Sequence, residues 1–189
     1  MLTIHYQGTS EPKIMRKLIK ELKAISDELQ WKYFVIDDER FVGILVTSEK
    51  DCEPLSFIIN RQGKLIHPAW LNNDNPDEVA FYVSTKTNFS TIDNHIAIVR
   101  LLKYIKKKYI TNLTVTDEGD YYETENREVL EQKWNFLLKT FEEVTSLLEI
   151  NLITEDKKLS PDNLADKIDK IIQKNYRDVN TQRLTKPKS

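Results

Sequence analysis

Two periodicities of hydrophobic residues divide this chain into short and long segments. In the short segments, apolar and polar side chains alternate and β-branched or aromatic residues are frequent, which is typical of β-strands. These segments are residues 2–7, 31–37, 41–47, 54–60 and 78–85, with a shorter fragment at 64–67. In the long segments, apolar residues recur every three or four positions, which is typical of helices. These segments are residues 9–29, 92–109, 125–150 and 160–176.

Serines near the starts of the first two helices are expected to cap them. Ser10 precedes Glu11 and Pro12, both of which are favoured in the first turn of a helix. Ser90 precedes Asp93 by the spacing of a capping box. We therefore expect both serine hydroxyls to accept hydrogen bonds from free backbone amides.

The order of the segments predicts the fold class. Between residues 31 and 85 no segment is long enough for a helix, and short connections join antiparallel neighbours. We therefore expect an α+β fold with a mostly antiparallel sheet of five to seven strands and two helices packed on one face. A strand or hairpin at 112–124 and two C-terminal helices should follow.

The β-α-β-β-β-β-α order of residues 2–110 resembles that of the TBP-like fold, in which two helices pack on one face of a curved sheet. The resemblance concerns element order, so it implies an architecture and no function. A ferredoxin-like or helix-grip variant is the alternative. We expect a single α+β domain at 1–150, a linker and helical appendage at 151–176, and a flexible tail at 177–189.

Composition narrows the classes of function. The 189 residues carry a formal charge of −2, which argues against a strongly basic nucleic-acid-binding protein. No apolar segment is long enough to span a membrane, and we see no secretory signal. One cysteine cannot form an intramolecular disulfide, which fits a reducing compartment. We therefore expect a cytoplasmic protein of bacterial type that binds neither nucleic acid nor membrane.

One face of the predicted sheet carries polar residues that could bind a ligand. If helices cover the face on which Ile4 lies, residues of the opposite parity form the other face. Those residues are Thr3, His5, Gln7, Ser56, Asn60, Tyr82, Ser84 and Lys86. We expect ligand contacts from His5, Tyr82, Ser84 and Lys86, although an antiparallel sheet commonly has one solvated face without any function.

His95 falls at the centre of the apolar stripe of the second long helix, one turn after the helix starts. The helix dipole disfavours a protonated ring there, so a neutral His95 could be a core residue, a base or a ligand-binding group. A single histidine without a spaced partner is more commonly a core residue. Alternatively, Lys86 and the free amides near Thr91 could receive an anion beside His95.

A cluster of acidic residues at 117–125 offers a surface for a basic partner protein. We expect Asp117, Glu118 and Asp120 to contact such a partner, with Trp70 as an aromatic anchor. The spacing of an EF-hand is absent and no zinc-binding spacing occurs, so we expect no metal. Nucleotide-binding and hydrolase motifs are absent too, and we expect no cofactor.

These patterns leave alternative functions open. The first is a non-catalytic protein-interaction or ligand-binding domain. The second is a small enzyme with an anion site near Lys86 and His95, although no motif identifies catalytic residues. The third is an oligomerising subunit, because helix 125–150 has the spacing of a two-helix seam and could form a homodimer.

Overall fold

The structure is a computed structural model that describes residues 2–49, 52–73, 82–153, 166 and 169–170. Its elements are β1 Thr3–Gln7, α1 Pro12–Leu29, β2 Lys32–Asp37, β3 Val42–Thr47, β4 Leu55–Ile59, a 3₁₀ turn Pro68–Trp70, β5 Val83–Lys86, α2 Ile92–Lys108, β6 Thr114–Asp117, α3 Tyr121–Thr124 and α4 Arg127–Ile153. The α+β class is therefore confirmed. Residues 74–81, where the strand predicted at 78–85 begins, lie outside the described residues, as do the predicted tail and most of the predicted appendage.

The chain divides into two compact units, Met1–Val129 and Leu130–Ser189. All strands and helices α1 to α3 belong to the first unit, and most of α4 belongs to the second. No helix within the described ranges is both long and apolar enough to cross a membrane.

The strands form two antiparallel sheets of three strands, in the orders β5-β1-β6 and β2-β3-β4. The predicted single sheet of five to seven strands is therefore wrong, and the TBP-like architecture with its one curved sheet is not confirmed. The reason lies in β1, whose two edges are occupied by β5 and β6, so that neither edge is left for β2 to β4. All of the described pairings are antiparallel, as predicted.

A buried tyrosine links the two sheets. The Tyr6 hydroxyl on β1 accepts a hydrogen bond from the Ser56 amide on β4 at 2.9 Å and donates to the Ser56 carbonyl at 3.2 Å. Burial raises the pKa of Tyr6 far above its usual value, so its hydroxyl stays protonated. Ser56 and Asn60 are thus buried, and the prediction that they lie on a wet face is wrong.

Both faces of the β2-β3-β4 sheet are apolar. Helix α1 packs on one face through residues such as Leu18 and Leu22, which are buried. On the other face, Phe41, Ile58 and Ile66 form a small buried cluster. The sheet therefore needs cover on both sides, whereas the patterning predicted one covered face.

The two predicted serine caps are both wrong. Glu11 occupies the cap position of α1 without a side-chain hydrogen bond, and the Ser10 hydroxyl finds no partner among the described residues. The cap of α2 is Thr91, whose hydroxyl accepts from the Asn94 amide at 3.1 Å. Ser90 instead donates its hydroxyl to the carboxylate of Glu49.

Helices α1 and α2 are joined by a cluster around Glu21. The Glu21 carboxylate accepts hydrogen bonds from the Lys108 ammonium, at 2.7 and 2.8 Å, and from the hydroxyls of Tyr104 and Tyr109. These hydrogen bonds, led by that of Lys108, lower the pKa of Glu21 to about 2. The lysine- and tyrosine-rich end of α2 therefore engages α1 of the same chain.

Candidate functional site

The β5-β1-β6 sheet presents a polar face on which most of the predicted ligand residues come together. His5 on β1 pairs directly with Ser84 on β5 and with Thr116 on β6, and directly paired residues share a face. The ring of Tyr82 lies edge-on to His5 with centroids 6.4 Å apart. We call this surface the open face; its members are His5, Gln7, Tyr82, Ser84, Lys86, Thr114 and Thr116.

Carboxylates border the open face and pair with its basic groups. Lys86 Nζ lies 3.3 Å from Glu53 Oε1, and His5 Nε2 lies 3.7 Å from Glu118 Oε1. The four side chains are 38–42% exposed. The second oxygen of Glu118 accepts the Thr3 amide at 2.9 Å, which holds this carboxylate in place. The open face therefore carries both signs of charge, with an aromatic ring at one end.

His95, the remaining predicted ligand residue, lies on the opposite face of the same sheet. Ile4 pairs with Thr85 on one side and with Asp117 on the other, so Asp117 belongs to the buried face of Ile4. Thr87 follows Thr85 by two residues and has the same parity. The structure thus separates His95 from the open face and brings it to Thr87 and Asp117.

Thr87, His95 and Asp117 form one hydrogen-bonded network. His95 Nδ1 lies 2.7 Å from Thr87 Oγ1, and Nε2 lies 3.1 and 3.2 Å from the two Asp117 oxygens. The Asp117 carboxylate can only accept, so Nε2–H donates to it. The Thr87 hydroxyl, which lies at Nδ1, also donates to the Leu2 carbonyl at 3.1 Å. The network therefore joins β5, α2 and β6.

Backbone amides complete the environment of the Asp117 carboxylate. The Gly119 amide donates to it at 2.7 Å and the Tyr122 amide at 3.0 Å. Burial acts to raise the pKa of Asp117, but the hydrogen bond and charge of His95 and the two amides outweigh it and hold the pKa below its usual value. The same amide contacts turn the chain into α3, so of the strand or hairpin predicted at 112–124 the structure shows the single strand β6.

The network contains the residue types of a hydrolase triad but is closed. Thr87 and His95 are 0% exposed and Asp117 is 4% exposed. The ring nitrogens are also exchanged relative to serine hydrolases, in which Nε2 serves the nucleophile and Nδ1 the carboxylate. With no exposed atom on Thr87 or His95, a substrate cannot reach either group. The arrangement is suited to holding three elements together.

The start of α2, where an anion was predicted, is occupied by a carboxylate of the chain itself. Glu49 accepts hydrogen bonds from the hydroxyls of Ser90 at 2.5 Å and Thr91 at 3.3 Å. Lys86 meanwhile points to the open face, and His95 lies on the other side of the sheet. The structure therefore does not bring Lys86 and His95 together around one anion.

The predicted partner-binding residues also separate. Asp117 is buried in the network, whereas Glu118 borders the open face. Asp120 precedes α3 with a left-handed backbone, φ 58°. Trp70 is 37% exposed in the 3₁₀ turn that follows β4. Within the described ranges, these acidic residues do not form a group that could hold a metal ion.

Sequence analysis missed Thr87 as a partner of His95 and Glu53 as a partner of Lys86. Thr87 continues the buried parity of Val83 and Thr85, a signal that could have placed it beside the helix. No sequence pattern predicts the position of Glu53, because it depends on where the segment after residue 51 lies relative to β5. That segment donates the Glu53 amide to the Lys86 carbonyl at 3.3 Å.

Comparisons with known proteins identify no relative. No family model matches the chain, and no curated protein or solved structure is significantly similar to it. Arguments about function therefore depend on the geometry of the open face and of the buried network.

Proposed function

We propose that this chain is a non-catalytic binding domain of the cytoplasm that receives a partner protein on its open face. The observation that carries the proposal is the position of Tyr82, which is 54% exposed and lies edge-on to His5 at one end of the open face. Tyrosine is enriched among the residues that dominate binding energy at protein interfaces, because its ring contributes a large rigid area and its hydroxyl a hydrogen bond.

The charges of the open face favour a protein over a small anion or a nucleic acid. Lys86 and His5 each lie beside a carboxylate, so an incoming phosphate would meet Glu53 and Glu118 as well as the basic groups. A polypeptide can offer both an acidic and a basic side chain to such a surface. Charge complementarity of this kind sets specificity and association rate.

The buried network supports the choice of a binding domain over an enzyme. His95 is the histidine that meets both a hydroxyl and a carboxylate, yet its ring is 0% exposed. A general base must come within hydrogen-bond reach of the proton it removes. The third hypothesis, a homodimer through helix 125–150, stays a prediction.

Photo-cross-linking from the open face tests this proposal. A photoreactive phenylalanine analogue is placed at Tyr82, or, as a control, at Phe89, which is 67% exposed in the turn before α2. When the labelled chain is expressed in the cells from which the protein comes, we expect one dominant cross-linked adduct from position 82. An excess of the unlabelled chain should abolish this adduct by competition. The same adduct should be absent from position 89.

The captured partner then allows affinity to be measured with purified proteins. We expect Tyr82→Ala to weaken binding by about 30-fold, the effect of a hot-spot residue. Lys86→Glu should weaken it too, since it replaces a positive charge of the open face with a second carboxylate beside Glu53. Equal capture from positions 82 and 89, or an affinity unchanged by Tyr82→Ala, would contradict the proposal.

A further inference from the structure

The outer edge of β2 is a second exposed surface, distinct from the open face. β2 is the terminal strand of the β2-β3-β4 sheet, and all of its residues except Ile36 are exposed. Phe34 is 62% exposed, and Tyr33 and Val35 are each 36% exposed. The strand contains no proline, so its edge lacks a common protection against pairing with another strand.

The hydrogen-bonding directions of β2 follow from its hairpin with β3. The Asp38 amide donates to the Phe41 carbonyl at 2.9 Å, one step beyond the Asp37–Val42 pair. Residues of an antiparallel strand direct their N–H and C=O groups alternately toward and away from the neighbour. Even-numbered residues of β2 therefore bond β3, and Tyr33, Val35 and Asp37 direct theirs to the outer edge, which no strand of the described residues occupies.

We propose that two copies of this chain form a symmetric dimer in which their β2 strands pair antiparallel about Val35. The two-fold axis is perpendicular to the sheet, so the same face of both copies points in the same direction. Directly opposite residues must lie on the same face, and both are therefore even-numbered or both odd-numbered. Pairing about Val35 sets Tyr33 of each copy opposite Asp37 of the other. All outward N–H and C=O groups of these three residues then find partners.

Side chains in this register are complementary in charge. Lys32 of each copy lies opposite Asp38 of the other, on the face of Phe34. On the α1 face, Tyr33 lies opposite Asp37 of the second copy. Lys23 Nζ of the same chain lies 5.6 Å from the centre of the Tyr33 ring. Opposite charges directly across a strand pair stabilise it, and like charges destabilise it.

Apolar side chains are complementary as well. Phe34 of each copy lies opposite Ile36 of the other, beside the buried cluster of Phe41, Ile58 and Ile66. The exposed Phe34 ring would thus extend an apolar cluster that each copy already has. An aromatic and a β-branched residue form a favourable cross-strand pair.

The nearest symmetric registers lose the pair of opposite charges. Centring the pair on Phe34 sets Lys32 opposite Ile36, and centring it on Ile36 sets Asp38 opposite Phe34.

Registers two residues away are less suitable as well. A shift that centres the pair on Asp37 sets two aspartates against each other. A shift that centres it on Tyr33 extends the pairing to Trp31, whose amide already donates to the Ser26 carbonyl at 2.8 Å at the end of α1. Val35 is therefore the centre that satisfies both hydrogen bonding and charge.

The mass of the full-length chain in solution, measured by analytical ultracentrifugation over a range of concentrations, tests the proposal. We expect a concentration-dependent dimer. Val35→Pro removes an outward N–H without touching the bonds to β3, and should leave a folded monomer. Lys32→Asp should weaken the dimer about tenfold, because two pairs of like charges replace two attractive pairs. Lys32→Arg and Lys20→Asp, an exposed site on α1, should leave it unchanged.

A cysteine placed on the axis identifies the interface. In a Cys52→Ser background, Val35→Cys sets two cysteines directly opposite, within the Cα separation that a disulfide allows, so mild oxidation should link the chains. Phe89→Cys should not cross-link. A monomeric wild-type chain, or a dimer that Val35→Pro and Lys32→Asp leave intact, would overturn the proposal. If Val35→Pro fails to fold, the mass of Lys32→Asp and the cross-linking of Val35→Cys test the proposal without it.

Discussion

Asp117→Ala should lower the free energy of unfolding by about 3–5 kcal/mol at neutral pH, the cost of breaking a buried, hydrogen-bonded pair. The alanine removes an acceptor from His95 Nε2 and from the Gly119 and Tyr122 amides. Each donor would remain buried without its partner, which costs more than the net worth of the bond. Urea unfolding followed by circular dichroism measures the change.

A control from the same acidic segment separates burial from charge. Glu123→Ala removes an exposed carboxylate of α3 and should change the free energy of unfolding by less than about 0.5 kcal/mol. If the two variants unfold at the same urea concentration, the network does not stabilise the fold. Asp117→Asn, which keeps the shape of the side chain, provides a folded variant if the alanine variant does not fold.

The stabilisation by Asp117 should depend on pH in a defined direction. Because the pKa of Asp117 is held below its usual value in the folded chain, its ionised form contributes stability above that usual value. The contribution is lost as the pH falls through the lower folded pKa. The difference in unfolding free energy between the wild type and Asp117→Asn should therefore shrink as the pH falls below about 4.

Gly43→Ala should be the second strongly destabilising substitution, with a loss of about 1–3 kcal/mol or more. A Cβ atom at Gly43 would lie 2.2 Å from the Phe57 carbonyl oxygen and 2.4 Å from Ile58 Cα. These are backbone atoms of the adjacent strand β4, which cannot rotate away. Strands β3 and β4 would have to separate, and thermal unfolding should show a lower melting temperature.

Gly8→Ala is the matched control for this substitution. A Cβ atom there would lie 3.0 Å from the Ile110 Cγ2 methyl group and 3.3 Å from Leu113 Cα, both longer than the contacts at Gly43. We therefore expect a smaller loss than at Gly43. Equal melting temperatures for the two variants would show that β3 and β4 do not approach as closely as the structure has them.

Hydrophobic periodicity was sufficient to predict the longer elements but neither the short helix α3 nor the assembly of the elements. Strands β2, β3 and β4 and helices α1, α2 and α4 occur within a few residues of their predicted bounds. The division into two sheets was not predictable, because alternation shows which side of a strand is buried and not which strand lies beside it. It depends on β6, a strand of four residues that returns to pair with β1.

The candidate site was predictable to the extent that parity determines it. Ser84 and Lys86 share a face because they are two positions apart on β5, and His5 joins them because it pairs directly with Ser84. His95 required tertiary information, since Asp117 follows it by 22 positions on another element. The position of His95 in the apolar stripe correctly indicated that it is buried, and a buried His95 cannot be part of the open face.

Chemical modification of the histidines tests most directly whether the polar residues divide into a sealed network and an open face. The folded chain is treated with diethyl pyrocarbonate, and each histidine is followed by mass spectrometry. We predict rapid modification of His5, whose side chain is 38% exposed, and none of His95 until urea unfolds the chain. Modification of His95 at the rate of His5 in the folded chain would contradict this division and return His95 to the candidates for catalysis.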